Sequence, residues 1–382
     1  MVGQLVIVAF LGASSLSPMQ TSRQKLEDFG PKYYRTDDLS GVGGGPGITR
    51  IRSHLHEEER PKTSPLHGWQ FPYLSEGFAK TAPGGEYALR FRVFNQFRPT
   101  ENDPTDKVSR MLLRMWEFEY TRLEIDHALR FRAIDVYLCA GGEAGAEQLK
   151  IVDQQERDGF GNALRRSNIY IYQLMDPPGS FEFARELAHE YGHATLPTPA
   201  GFKEPESWPA GDLGERLFLS WFHRAMLDNK LKPSDCMDTD TFDLAKYLRD
   251  VAQPDIERVA TEGPDLELLA KRTEAAYNEY LGLATYCAEI MPPKVFGRTL
   301  ALTTTQDAED YAIVVVEVAR EPRRWDVTIP NYLKGKAIWL PLKVGKIHGA
   351  KVLRRKGAWA KVQPTSDSVY VTNPPLGDGS QP

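Results

Sequence analysis

The sequence predicts an α+β protein: a mixed sheet, a helix carrying the run His189-Glu190-Tyr191-Gly192-His193, a helical half, and a small C-terminal β module. Three observations lead there. Apolar residues alternate with period two in segments between Glu86 and Leu174, they recur at helical spacing between caps and prolines from Pro209 to Met291, and short β-like segments return after Trp325. A chain of 382 residues, 41% hydrophobic and 26% charged, is long enough to bury a large core around these elements.

In chain order, residues 1–20 open with an apolar run from Leu5 to Ala13 followed by small residues, with Ala13-Ser14-Ser15 as a cleavage site. This is a candidate export signal, which predicts a secreted, periplasmic or cell-surface protein. The first basic residue is Arg23, so the usual basic flank is missing and a buried N-terminal strand is the alternative. No other apolar stretch approaches the roughly 18 residues that span a membrane, and no transmembrane segment is expected in the mature chain. Residues 21–85 are rich in charge, Gly and Pro and read as extended or loop structure. Their "GVGGGPG" at Gly41 to Gly47 lacks the Lys-Ser/Thr of a phosphate loop and reads as a flexible linker.

A compact α/β lobe is expected over 86–208. "EYALRFRVF" from Glu86 alternates Tyr87, Leu89, Phe91 and Val93 as a strand with one buried face. The next segment, N-capped by Thr105 or Asp106, carries Val108, Met111, Leu112, Met115 and Trp116 on one helical stripe. "AIDVYLCA" from Ala133 and "NIYIYQL" from Asn168 are two more strands. In the latter, Ile169 and Ile171 face the core and Tyr170 and Tyr172 the other side, as an edge strand that accepts an extended peptide or as an interior strand. A helical lobe over 209–310 contains helices from Asp212 to Asn229, Thr241 to Val251 and Asp265 to Met291. "YAIVVVEVA" from Tyr311 suits a strand or a helix and is grouped with a β module over 311–374, followed by a tail at 375–382.

The metal question turns on His189, Glu190 and His193. On a helix the two histidines lie one turn apart on one face, able to converge on one ion, and Glu190 sits about 100° around, placed to hold water without being a ligand. With 8 histidines in the chain, composition alone gives H-E-x-x-H on the order of once in a hundred such chains. Asp176-Pro-Pro-Gly-Ser180 supplies a turn and N-cap, and Phe181, Ala184, Leu187, Ala188 and Tyr191 make an apolar face opposite the histidines.

At this point the chain resembles the zincin metallopeptidases, both in the motif and in the order strand, helix, strands, active helix, helical half, over about Glu86 to Met291. It is also similar to a group of uncharacterised bacterial proteins with an "HEYGHATLP" run. The resemblance implies Zn2+ in a cleft between two lobes. Zinc needs a third protein ligand and an open position. The metzincin pattern is excluded by Leu196 and Pro199, which stand where Gly and His belong. The gluzincin pattern points to Glu215, separated from His193 by 21 residues, although Gly214 and Leu219 replace that branch's Asn and Asp. Glu206, Glu204 and Asp212 compete for the role, and Asp212-x-x-Glu215 also reads as a capping box.

The expected activity is hydrolysis of a peptide or protein substrate with His189, His193 and Glu215 on zinc and Glu190 as general base. The alternative is a non-catalytic interaction or cell-surface-binding protein on the same scaffold, against which an intact Glu190 argues. His223 or one of Tyr277, Tyr280 and Tyr286 is a candidate oxyanion stabiliser, while His127 and His223 also suit core positions. "HLHEEE" at His54 to Glu59 resembles the first cupin metal motif, but no second motif follows, so it reads as a charged turn. Cys139, Cys236 and Cys287 are too few and too far apart for a disulfide framework. Between Trp325 and Thr372 nine Lys/Arg face two acids, a net +7 that leaves −12 for the rest of a chain totalling −5. "KVLRRKGAWAKV" resembles bacterial SH3-like modules that attach enzymes to cell walls, which implies an anionic polymer as partner, with a solvated face as the alternative; no nucleic-acid partner is predicted.

Overall fold

The computed structural model describes residues 36–38, 48–52, 61–80, 88–97, 104–127, 131, 133–157, 163–174, 178–303 and 307–375. The candidate export signal, the glycine cluster, the His54–Glu59 turn and nearly all of the tail lie outside these residues. The strands are β1 (Thr36–Asp38), β2 (Ile48–Arg52), β3 (Lys62–Thr63), β4 (Gln70–Phe71), β5 (Tyr73–Lys80) and β6 (Ala88–Asn95). After helix α1 (Pro104–Phe118) come β7 (Ile134–Leu138), β8 (Ala146–Arg157), β9 (Ala163–Ile171) and α2 (Ser180–Thr195). A helical lobe follows: α3 (Ala210–Leu227), α4 (Thr241–Tyr247), α5 (Gln253–Glu262), α6 (Leu266–Leu269), α7 (Glu274–Ile290), α8 (Pro293–Leu302) and α9 (Ala308–Ala319). The chain then adds β10 (Arg324–Val327), β11 (Ile338–Pro341), β12 (Lys346–His348), β13 (Ala350–Lys356), β14 (Trp359–Pro364) and β15 (Val369–Thr372). The protein is α+β, as the sequence predicts.

The main sheet is mixed, in the order β1-β2-β5-β6-β7-β9-β8. β6, β7 and β9 run parallel, and β8 returns antiparallel along β9. Alternation divides the faces: Phe91, Val93, Ile134, Val136, Ile169 and Ile171 join the core beneath α1 and α2. Phe94, Tyr137 and Tyr170 form a second cluster on the other side with Phe71 of β4. Val108, Met111, Leu112, Met115 and Trp116 are fully buried along α1.

The structure sharpens three expectations. Residues 21–85, expected to be extended or loop, include a sheet strand, β5, paired with β6. Its inward positions are small, Gly77 and Ala79, since α1 lies close: a Cβ on Gly77 would come 3.3 Å from Leu113. That smallness hides the strand from a hydrophobic pattern. "NIYIYQL" begins in β9, which lies between β7 and β8, so the interior reading holds over the edge one; the edge is β8, whose "AEQLKIVDQQER" carries too few apolar residues to show period two. The segment 311–319 belongs to helix α9 rather than to the β module, which starts at Arg324. Tyr311, Ala312, Val315, Val316 and Ala319 pack inward at helical spacing while Ile313 faces solvent.

Helices α2 and α3 cross backbone to backbone. A Cβ on Gly192 would lie 2.9 Å from the Cα of Gly214, and one on Gly214 would lie 2.6 Å from the Cα of Gly192. Behind α2, the wide turn Glu119–Leu123 supplies Glu119, fully buried, which accepts hydrogen bonds from Tyr191 and Thr195 at 2.7 Å. The C-terminal β module shares the main core: Trp339 is buried, its backbone carbonyl accepts the Tyr286 hydroxyl at 2.6 Å, and its ring covers Gly263. Much of its positive charge is spent on this chain. Lys336 pairs with Glu257, Lys343 with Glu317, Lys361 donates to the Thr261 carbonyl, Arg355 to that of Leu342, and Arg354 lies over Trp339. Lys334, Lys346, Lys351 and Lys356 are exposed. The three cysteines are free and buried, and no described helix is long and apolar enough to cross a membrane.

His127 packs between Phe91 and Tyr191, with Nε2 3.2 Å from the Arg90 carbonyl. Burial pushes its pKa down from 6.5 to about 4. The unfolded chain therefore binds a proton that the folded chain refuses between those values, and folding stability falls as pH drops through that window, by up to about 3 kcal/mol. Chemical denaturation at pH 7 and 4.5 should show this loss, and His127→Leu should flatten it.

Candidate metal centre

Helix α2 starts at Ser180 with Gly179 as its N-cap, and its buried face is Ala184, Leu187, Ala188 and Tyr191, with Phe181 half-buried at its start. The opposite side carries His189 and His193, whose rings lie 4.8 Å apart at 76° and whose Nε2 atoms are 3.2 Å apart. The segment joining α2 to α3 brings Glu206 across both: Oε1 lies 3.2 Å from Nε2 of His189 and Oε2 3.1 Å from Nε2 of His193.

The three separations suit zinc. Donors about 2.1 Å from a tetrahedral ion are roughly 3.4 Å from one another, a little more than the 3.2 Å between the two Nε2 atoms and the 3.1–3.2 Å from each to its own oxygen of Glu206. Gly211, in the first turn of α3, leaves the needed room. A Cβ there would lie 2.7 Å from Cδ2 of His189 and nearer still to both Nε2 atoms. One carboxylate and two imidazole nitrogens are a donor set that hydrolytic zinc sites use.

Glu215 stands elsewhere. Its Oε2 is 3.4 Å from Nδ1 of His189, on the far side of the ring from Glu206, and accepts from Arg185 at 3.1 Å. Asp212 Oδ1 is 3.5 Å from the same Nδ1, and Oδ2 accepts the Tyr277 hydroxyl at 2.6 Å. Two overlapping acid–histidine groups result, His189–His193–Glu206 and His189–Asp212–Glu215. The capping-box role for Asp212 and Glu215 is corrected: α3 begins at Ala210 with Pro209 as N-cap, and both acids turn toward His189. Glu204 is exposed and outside both groups.

Glu190 is 6% exposed, and burial, opposed by His189 and His193 and aided by Glu206, pushes its pKa up to about 7. Burial alone would depress His189, but its bonds to Glu206 and Glu215 outweigh it and raise the imidazole to about 10. Burial would raise Glu206, and its bonds to the two histidines instead hold it down at about 2. The cluster thus favours a cation between its imidazoles and carboxylates, whether proton or metal.

Of the candidate oxyanion stabilisers, Tyr277 comes nearest, one hydrogen bond behind His189. Tyr286 is committed to Trp339, Tyr280 packs against Tyr311 in the core, and His223 faces away on α3. Sequence reasoning missed Gly211 and Glu119. Glycines at 211 and 214 inside a helix after H-E-x-x-H were the available signal for the first, and Glu119 carried none. The chain matches no protein-family model, no curated protein and no solved structure.

Proposed function

We propose that the protein is a zinc-dependent hydrolase of peptide bonds, in which His189, His193 and Glu206 hold the metal and Glu190 is the general base. The observation that carries this reading is the mutual spacing of the two Nε2 atoms and Glu206, 3.1–3.2 Å on each side, over a glycine. Bound zinc lowers the pKa of water to about 7 and polarises a carbonyl. The chain's residues do the rest. Glu190, beside the histidines on α2, takes a proton from the attacking water and delivers it to the leaving amine. Its partial desolvation suits a group that must both accept and release that proton. Asp212 and Glu215 face Nδ1 of His189, which holds the proton there and leaves the Nε2 lone pair for the metal. Tyr277 in turn fixes Asp212.

Strand β8 supports a peptide as substrate. It borders the sheet beside α2, and among the described residues it pairs only with β9, so its outer backbone groups are available to an extended chain. Gln148 and Lys150 lie on the same side of the strand as the α2-facing residue Ala146, and Lys150 sits 5.4 Å over the half-exposed Trp208, two residues past Glu206.

Glu190→Gln keeps the shape and both histidines, so it should retain stoichiometric zinc and lose hydrolysis of a mixed peptide library. Loss of zinc together with activity would make Glu190 structural. The two acids are separable by affinity. Glu206→Gln should weaken zinc by about a thousandfold or more as a lost ligand, and Glu215→Gln by about 10–100-fold as a partner of a ligand. Competition with a chromophoric chelator reads both, and the reverse order would assign the metal to Glu215.

A further inference from the structure

We propose that a cavity behind α3 binds an amphipathic monoanion of the chemistry of a medium-chain carboxylic acid, at a site separate from the metal centre and independent of its reading. The cavity has a volume of about 400 Å³ and lies between α3, α4, α5, α7 and the segment Thr328–Tyr332. That volume is within the range of small-ligand sites and takes roughly a dozen non-hydrogen atoms. Most of its α3 lining faces away from the metal: Gly211 and Glu215 lie on one side of α3 and Ser220 and Arg224 about half a turn around, with Arg216, one turn from Asp212, between the two sites.

The lining fixes the ligand's chemistry. Leu217, Leu248, Ile256 and Ala288 make an apolar wall, and Leu227, 61% exposed, forms an apolar lip. Three of the four charged side chains (counting only Arg and Glu) that line it are arginines, Arg216, Arg224 and Arg249, against Glu289. Arg216 is buried and committed to Asp255 at 2.8 Å. Arg224 and Arg249 are 47% and 63% exposed, and they pair with Glu289 and Asp250. Exposed pairs of this kind are held weakly, so a carboxylate can exchange onto Arg224 or Arg249 while its chain displaces water from the apolar wall. Of the acids that pair these arginines only Glu289 lines the cavity, so an ammonium head would meet guanidiniums ahead of Asp250 and Asp255, and an uncharged head would gain no ionic partner.

Titration calorimetry on the full chain, with decanoate, decanol and decylamine below their micellar concentrations, tests this. Expected are saturable one-to-one binding of decanoate and at least about tenfold weaker binding of the other two. The double variant Arg224→Gln/Arg249→Gln should lose about tenfold for decanoate and little for decanol. Ala288→Phe, which fills the cavity, should abolish decanoate binding with an unchanged melting temperature. Should that variant unfold, Ala245→Leu at the same cavity replaces it. The proposal is overturned by an absence of saturable decanoate binding, by equal binding of decanoate and decylamine, or by a folded cavity-filling variant that binds like the parent.

Discussion

Replacing Gly211 with alanine should, on the proposed reading, abolish zinc binding and hydrolysis while the chain still folds. The new methyl group would lie 2.7 Å from Cδ2 of His189 and nearer still to the Nε2 atoms of both histidines, in the space that an ion between them needs. Imidazoles that part to relieve this overlap lose their contacts to Glu206 and the spacing an ion between them needs. The backbone has no objection, because Gly211 lies within a helix, where alanine is favoured over glycine by about 1 kcal/mol. That gain is set against the overlap of the methyl group with both imidazoles, which exists without metal too, so the variant should melt cooperatively but somewhat below the zinc-free parent. Metal analysis and a thermal melt on one sample check the pair of outcomes, and an alanine variant with stoichiometric zinc would place the metal elsewhere.

Deleting residues 324–382 prevents folding. The deletion removes Trp325, Leu333, Ile338, Trp339 and Leu340, each at most 2% exposed, from the core shared with α5, α7 and α9. Truncating one such side chain costs about 2–5 kcal/mol, so the total exceeds the roughly 5–15 kcal/mol that holds a domain together. It also strands the Tyr286 hydroxyl, fully buried, without the Trp339 carbonyl. The shortened chain should be insoluble or lack a cooperative unfolding transition. A cooperative melt with parental zinc content would make residues 324–382 an appended module, as their excess of positive charge first suggests.

Elements with a strong one-sided pattern were legible in the sequence. The stripe Val108 to Trp116 and the alternation around Ile169 and Ile171 each bury the residues that the period selects, because burial itself creates the pattern. The pattern fails where packing uses small or polar residues. In β5 the close approach of α1 calls for Gly77, and β8 borders the sheet and has little to bury on its free side. Valines misdirect at 314–316, since a helix can bury β-branched residues as well as a strand can. In the candidate site, the i, i+4 spacing of His189 and His193 follows from helix geometry alone. The choice between Glu206 and Glu215 does not, because it depends on the path of the segment after α2 and on which ring nitrogen each acid approaches. Both acids reach His189; only their three-dimensional placement separates a ligand's position from a supporting one.

The most direct test of the metal centre is diffraction from crystals grown with one equivalent of zinc, with data collected above and below the zinc absorption edge. The account predicts one anomalous peak about 2.0–2.2 Å from Nε2 of His189, Nε2 of His193 and a carboxylate oxygen of Glu206. A peak on Nδ1 of His189 between Asp212 and Glu215, or no peak near either histidine, would contradict it.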